Sequence, residues 1–502
     1  MEAILRKSSY PCFQLVYAET FSLSEAQESV VTDTLPDVDA VVHASGCALI
    51  RSKDVSDGRI RLEAAVPARV SCLGEDGGLF SMDIGIPFYL NVQDERIPED
   101  CGCVAELTLR QLDTRILNPR KLSVRAELTV TLRCYAPGAI ETALAPADGA
   151  AHIHAVEQSA EERCALTVTE KTFVLTDEYA LPEALPPVHE LLAQNAEPVV
   201  QELRTVGTKL IASGVVKSEL LYRDGEDSLH ALSFQTSFSQ IVESESETEG
   251  TQAELRVLLS GMYYEAIPGS DARELSMELH LVLQAVIFAN REIARISDAY
   301  SNEFALEAAR ESREITRYVR DCVLRESGRA ALETPEPVVS VLQCRVCPLE
   351  AVTEGAELRV RLRAVLCCQG ERRPFTVERT VSQSFATETD ASHTLFVCGV
   401  TVSEAQAQLA AGGAELRFTV EVRARLLERE TLESIRAISY DEGAALDLDA
   451  LPTLVMLRAD SSTDLWTLAK ENCSTVEAIR RANGLDEAGE DWEKLLLIPK
   501  AL

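Results

Sequence analysis

Apolar residues fall at every second position over long stretches of this chain. The runs RIRLEAAVPARVSCL (59–73), KLSVRAELTVTLRCY (121–135), ELRVRLRAVLCC (357–368) and ELRFTVEVRARLLE (415–428) all keep this alternation. A period of two belongs to a half-buried antiparallel strand, whose successive side chains point to opposite faces. Glycine-acid turns separate such runs at 56–58, 74–78, 223–227 and 369–371. The pattern predicts a mainly β body of antiparallel strands.

The strand pairs recur. ARVSCLGEDGGLFSMDIGIPFYLNV (68–92), SELLYRDGEDSLHALSFQTSFSQIV (218–242) and RAVLCCQGERRPFTVERTVSQSF (363–385) share one plan: strand, acidic glycine turn, strand, then a proline or small residue before phenylalanine. Phe88, Phe238 and Phe385 stand 150 and 147 residues apart. That spacing is too long for a solenoid and suits tandem domains. A further strand run follows each block. The first two repeats also share a lead-in, TDTLPDVDAVVHASG against TDEYALPEALPPVHELLAQ, whereas the third has a weaker one. The expected domains are a first repeat at 1–136, a second at 164–300 and a third, degenerate repeat at 336–440. The Ala/Pro/Gly-rich stretch 136–163 reads as a linker. Residues 301–335 carry charged and apolar positions at helical spacing and read as a helix or a stiff linker.

From Leu454 the period changes to helical. Ser and Thr at 462–463 stand where a helix cap belongs, with Asp464 in the first turn. Ser474 with Glu477 makes a capping box, and Asn483-Gly484 a stop. Short apolar runs, LVML and KLLLIP, flank the two helices. Residues 453–502 should therefore form a small α+β unit, strand-helix-helix-strand, around Trp466, Ile479 and Leu496.

Composition narrows the function classes. The 502 residues carry 46 % hydrophobic residues and a formal net charge of −33. Such a chain can build sizeable cores but is repelled by nucleic acid and by anionic membranes. Neither a signal-type apolar segment nor a run of ~18 apolar residues suited to a membrane span is expected. The fourteen cysteines are scattered and often apolar in context, as reduced core residues are.

The tail resembles a LysM module. The residues that carry the likeness are Leu465-Trp466, Ala469-Lys470, Thr475-Val476-Glu477, Ile479, Ala482-Asn483, Leu485 and Leu496–Pro499. In that family two loops flank a shallow groove for N-acetylglucosamine sugars. The resemblance places Ser462, Thr463, Asp464 and Leu465 on one loop and Asn483, Gly484, Leu485, Trp492 and Glu493 by the other. Where the family has Gly-Asp-Thr, this chain has Ser462-Thr463-Asp464; where it has Pro-Gly-Gln, this chain has Trp492-Glu493-Lys494. Trp492 is either an exposed binding anchor or a cover for the last strand.

The repeats resemble SPOCS domains, the spore-coat-associated repeats of endospore-forming Firmicutes. The shared features are the Leu-Pro lead-in, the Tyr or Cys before the acidic turn, and the Pro-Phe or Ser-Phe-Ser-Gln-Ile-Val step. The combination implies a non-enzymatic structural or adaptor protein of coat assembly, made in the mother-cell cytoplasm and recruited to the forespore surface. Its implied partner is a spore morphogenetic ATPase or another coat protein; the alternative is a peptidoglycan glycan of the wall or cortex. No cofactor, nucleic acid or membrane insertion is implied.

No catalytic motif stands out. The seven histidines are dispersed, and no nucleophile elbow, zincin motif or phosphate loop occurs. One metal-like pattern is Cys344-x-x-Cys347 with Cys367-Cys368, four thiols in number for zinc. Adjacent cysteines on a strand face opposite ways, which favours core cysteines over a zinc site.

Overall fold

The computed structural model describes residues 2–146, 153–244, 250–267, 271–387, 389–410, 412–447, 450–460, 462–485 and 493–501. Among these residues the chain is mainly β and has two short helices near its end.

The first repeat holds β1 (Leu5–Val30), β2 (Val38–Gly46), β3 (Leu49–Ser56), β4 (Arg59–Gly74), β5 (Leu79–Gln93), β6 (Gly102–Asn118) and β7 (Lys121–Pro146). The second holds β8 (Ile153–Ala180), β9 (Glu190–Val206), β10 (Lys209–Arg223), β11 (Leu229–Glu243), β12 (Gln252–Ala266) and β13 (Glu274–Ser301). The third holds β14 (Phe304–Glu333), β15 (Val338–Glu354), β16 (Glu357–Gly370), β17 (Pro374–Ala386), β18 (His393–Ala410) and β19 (Gly413–Ala445).

All three repeats follow one pairing scheme. The long first strand pairs with the last, which pairs with the one before it: β1-β7-β6, β8-β13-β12 and β14-β19-β18. The middle strands form a second antiparallel set: β4 between β5 and the broken pair β2/β3, then β9-β10-β11 and β15-β16-β17. The two layers enclose each core, as alternating strands require. The acidic turns at Gly74, Asp224–Asp227 and Gly370 each join the second layer's centre strand to the strand that follows. The three recurrent phenylalanines lie on that following strand, and all are buried.

Phe238 shows how closely neighbouring strands of one layer pack. It stands opposite Gly214 on β10. A Cβ at Gly214 would lie 2.2 Å from the Val199 carbonyl oxygen and 2.7 Å from the Phe238 ring. Gly214→Ala should therefore destabilise the protein by about 1–3 kcal/mol through overpacking, read as a lower midpoint in urea unfolding.

Three expectations are corrected. Residues 301–335 are neither helix nor linker: Phe304–Glu333 is strand β14, hydrogen-bonded along nearly its whole length to β19. Most of its side chains are exposed, so no burial alternation marks it in the sequence. The third repeat has the full set of strands. Its short lead-in, TPEP between β14 and β15, lowers the sequence likeness but leaves the pairing intact. The stretch 136–163 is also largely strand in its described part, as the ends of β7 and β8.

The repeats pack against one another in all three combinations. Repeat 1 meets repeat 2 through Ser71 Oγ donating to the Leu192 carbonyl (2.8 Å), Lys53 on Glu170 (2.6 Å) and Arg256 on Glu106 (3.2 Å). Repeat 2 meets repeat 3 through Arg345 Nη1 on Asn195 Oδ1 (2.6 Å), Lys217 on the Val402 carbonyl (2.9 Å) and an apolar patch of Leu192, Leu221 and Cys367. Repeat 3 returns to repeat 1 through Thr376 on the Val42 carbonyl (2.8 Å) and Arg110 on Glu350 (3.3 Å). The three sandwiches therefore close into a ring.

Candidate functional site

The tail comprises β20 (Leu454–Asp460), α1 (Leu465–Glu471), α2 (Val476–Asn483) and β21 (Glu493–Pro499). The order matches the sequence expectation. The two strands pair antiparallel from Leu454↔Pro499 to Asp460↔Glu493. The core is Ala469, Ile479, Leu496 and Ile498, each at most 1 % exposed.

The caps differ from expectation by one or two residues. Asp464, not Ser462 or Thr463, caps α1: its carboxylate accepts from the Trp466 and Thr467 amides. The Thr467 hydroxyl and these amides outweigh desolvation and hold the Asp464 carboxyl below its usual range. Thr475, not Ser474, caps α2, accepting from the Ala478 amide at 3.0 Å. Ser474 is buried, and its hydroxyl donates to the Pro499 carbonyl instead (2.5 Å).

The candidate groove residues take distinct places. Ser462 and Thr463 turn back on Asp460, whose Oδ1 accepts from the Ser462 amide (3.0 Å) and hydroxyl (2.6 Å). Ser462 and Asp464 are exposed; Leu465 and Leu485 are half-buried against the tail core. Gly484 ends α2 with φ +58°, a left-handed cap that favours glycine. Asn483 is a bracket: its amide nitrogen donates to the Ile479 (2.7 Å) and Leu497 (2.6 Å) carbonyls, and its oxygen accepts from the Leu497 amide (2.7 Å). Residue 461 and the segment 486–492, with Trp492 and its neighbouring carboxylates, lie outside the described residues. Because Asp460 pairs with Glu493, both loops leave the same end of the two-stranded sheet. The structure thus brings together the described ends of the two loops.

Trp466 corrects the sequence reading. It is half-buried and lies between the tail and repeat 2 rather than at the tail's centre. Its ring meets Tyr300 edge-on at 4.8 Å, and its Nε1 donates to Asp298 Oδ2 at 2.9 Å. Lys470 pairs with the same carboxylate at 2.7 Å. Tyr300 donates to the Ser474 carbonyl (2.9 Å), and Asn302 Nδ2 to the Ala501 carbonyl (2.6 Å). Sequence reasoning missed Asp298, Tyr300 and Asn302. Asp298 and Tyr300 end strand β13 and Asn302 directly follows it, in a stretch whose pattern resembles any other strand.

Docking leaves one sheet face of the tail uncovered. Leu454, Met456 and Leu495, on the side away from the tail core, are 49 %, 56 % and 51 % exposed.

The four-cysteine pattern does not assemble. Cys368 points into the third sandwich core, and Cys367 points out toward Leu192 and Leu221. Burial pushes the thiols of Cys344 and Cys367 up to about 12. Among the described residues no three His, Cys, Asp or Glu side chains are placed to hold a metal ion. Glu254 is buried between Arg163 (2.7 Å) and Arg133 (3.4 Å).

Residues 187–267 match the family model described as SipL, SPOCS domain. The match runs through β9, β10, β11 and β12 of the second repeat. Over these residues the second repeat is similar to the SPOCS domain of SipL, a likeness that supports a SipL-like, sporulation-related protein. No curated protein and no solved structure matches the chain.

Proposed function

We propose that this chain is a non-enzymatic adaptor of endospore coat assembly. In this reading the ring of three sandwiches is the scaffold and the tail is the docking module, held on the body by Trp466 and Lys470. The SPOCS match in repeat 2 carries the sporulation part of the reading. The partner is a protein of the coat, such as a spore morphogenetic ATPase, met at the forespore surface from the mother-cell side. The exposed apolar face of Leu454, Met456 and Leu495 favours a protein over a sugar, because a protein hot spot needs a dehydrated apolar centre.

The test is localisation of the fluorescently tagged full chain in a sporulating host. The intact chain should form a ring around the forespore, and Met456→Asp with Leu495→Asp should leave it diffuse while the dichroism spectrum stays native. Both positions face outward, so the charges enter at little cost to the fold. A diffuse signal from the intact chain would refute the adaptor reading. A normal ring from the double variant, with micromolar binding of the chain to N-acetylglucosamine oligomers, would instead establish the glycan-binding alternative, which the LysM resemblance of the tail motivates.

A further inference from the structure

Where the three repeats meet they line a half-open cavity of about 490 Å³. Each repeat lends it the same two parts of its fold. The second strand, with the residues just after it in repeat 1, contributes Gly46–Ala48, Ala196–Val200 and Cys347–Ala351; the next-to-last strand contributes Glu106–Leu109, Leu255–Leu259 and Val397–Thr401. The chamber is thus a product of ring closure.

Its charge runs against that of the molecule. In a chain of net −33, the chamber wall holds five arginines: Arg133, Arg256, Arg345, Arg363 and Arg423. Against them stand three glutamates, Glu106, Glu197 and Glu350, so the ionisable wall sums to +2. Four of the arginines are spoken for. Arg133 and Arg256 pair with Glu106, Arg345 with Asn195 and Glu219, and Arg423 with the Val200 and Gln201 carbonyls.

Arg363 differs. It is 6 % exposed, yet its Nε and Nη1 meet no hydrogen-bond acceptor on the protein. Glu378 pairs with it across 3.8 Å from Nε, beyond hydrogen-bond reach. A buried guanidinium with two donors unmet is costly, and an oxyanion is the group whose geometry satisfies them. The local field agrees. His43, fully enclosed nearby, is driven down to about 4 by burial and by the positive charges of Arg345 and Arg363. An approach path exists as well. Arg359, Arg361 and Arg363 alternate along β16 and share one face, which leads from exposed to buried positions. At the rim, Arg361 and Arg110 both contact Glu350, whose side chain keeps 36 % of its surface exposed.

We infer that this central chamber binds a small oxyanion, a carboxylate or a phosphate group, with Arg363 as its anchor. The apolar remainder of the wall, from Leu107, Val199, Val257 and Val400, would take the uncharged body of such a molecule. Occupancy would favour the closed ring, since the site exists only when the three repeats are together.

Calorimetric titration of the full chain tests this, with sodium phosphate and sodium malonate as probes and sodium chloride at matched ionic strength as control. Saturable millimolar or tighter binding of at least one probe is expected, and which one binds tells the phosphate source from the carboxylate source. Arg363→Gln should weaken it at least about tenfold, the loss of a charged hydrogen-bonding partner. If that variant does not fold, Arg363→Lys, which keeps the charge but not the planar fork, should still bind more weakly than the native chain. Heats from both probes no different from chloride would overturn the inference, as would undiminished affinity in whichever folded variant is measured.

Discussion

Trp466→Ala is expected to free the tail from the body while leaving both folded. The tail's own core is Ala469, Ile479, Leu496 and Ile498, and the half-buried indole packs on its edge together with Tyr300. What the substitution removes is the edge-on contact with Tyr300 and the hydrogen bond to the Asp298 carboxylate. The first is worth about 0.5–1.5 kcal/mol and the second about 1.5–3 kcal/mol. Together they shift the docking equilibrium by about 2–4 kcal/mol, enough to turn a docked tail into a largely free one. Limited proteolysis should then cut the connector between Ala445 and Leu454 much faster, with far-UV dichroism unchanged. If the tail itself became digested throughout, Trp466 would be a core residue after all. Ile479→Ala is the contrast, since it should unfold the tail. The same equilibrium should respond to acid. Burial alone would raise the Asp298 carboxyl, but Lys470 and the Trp466 indole outweigh it and hold the docked value below the ordinary range. A depressed value means docking gains from Asp298 above the free carboxyl's pKa and loses that gain as pH falls through the docked one. Faster connector cleavage by an acid protease as the pH is taken below the free carboxyl's 3.8, abolished in Asp298→Asn, is the expected signature.

The β character and the recurrence were legible because alternation is a direct imprint of a two-faced strand. Phe88, Phe238 and Phe385 marked the equivalent strand in each repeat because a large side chain fills the same place between layers. β14 was not legible. Its residues Arg310, Glu311, Arg313, Glu314 and Arg317 are exposed, so hydrogen bonding to β19 decides the conformation and burial leaves no pattern. The tail's helices were legible from their stop signals and apolar spacing, but Trp466 was misplaced. Helical periodicity says that an apolar residue is covered and not by what, and here the cover is Tyr300, 166 residues earlier in the chain. The arginine chamber had no sequence signal for the same reason. Arg133, Arg256 and Arg363 each read as the polar member of an alternating strand, and only ring closure turns those faces inward.

Glu162→Ala should be among the most destabilising single changes in the body. Glu162 on β8 and Arg295 on β13 lie on neighbouring strands, and both side chains are 7 % exposed. Arg295 Nη2 donates to Glu162 Oε2 at 2.5 Å, and Arg313 of β14 reaches the other oxygen at 2.9 Å. The carboxylate therefore joins repeat 2 to the first strand of repeat 3. Removing it leaves the Arg295 cation buried with only a long hydrogen bond to the Ile293 carbonyl (3.4 Å). Breaking a buried pair from one side costs about 3–5 kcal/mol, because the surviving charge keeps its desolvation penalty. Arg313, whose side chain is 43 % exposed, can turn to water and adds less. The double change Glu162→Leu with Arg295→Met separates that cost from the worth of the pair itself. It removes both charges, fills similar volume, and should recover most of the lost stability. Urea unfolding of the native chain, Glu162→Ala and the double variant reads this directly. The single variant should fall well below the native chain and the double variant should return close to it. A double variant as unstable as Glu162→Ala would mean that the ion pair, rather than the avoided bare charge, holds repeats 2 and 3 together.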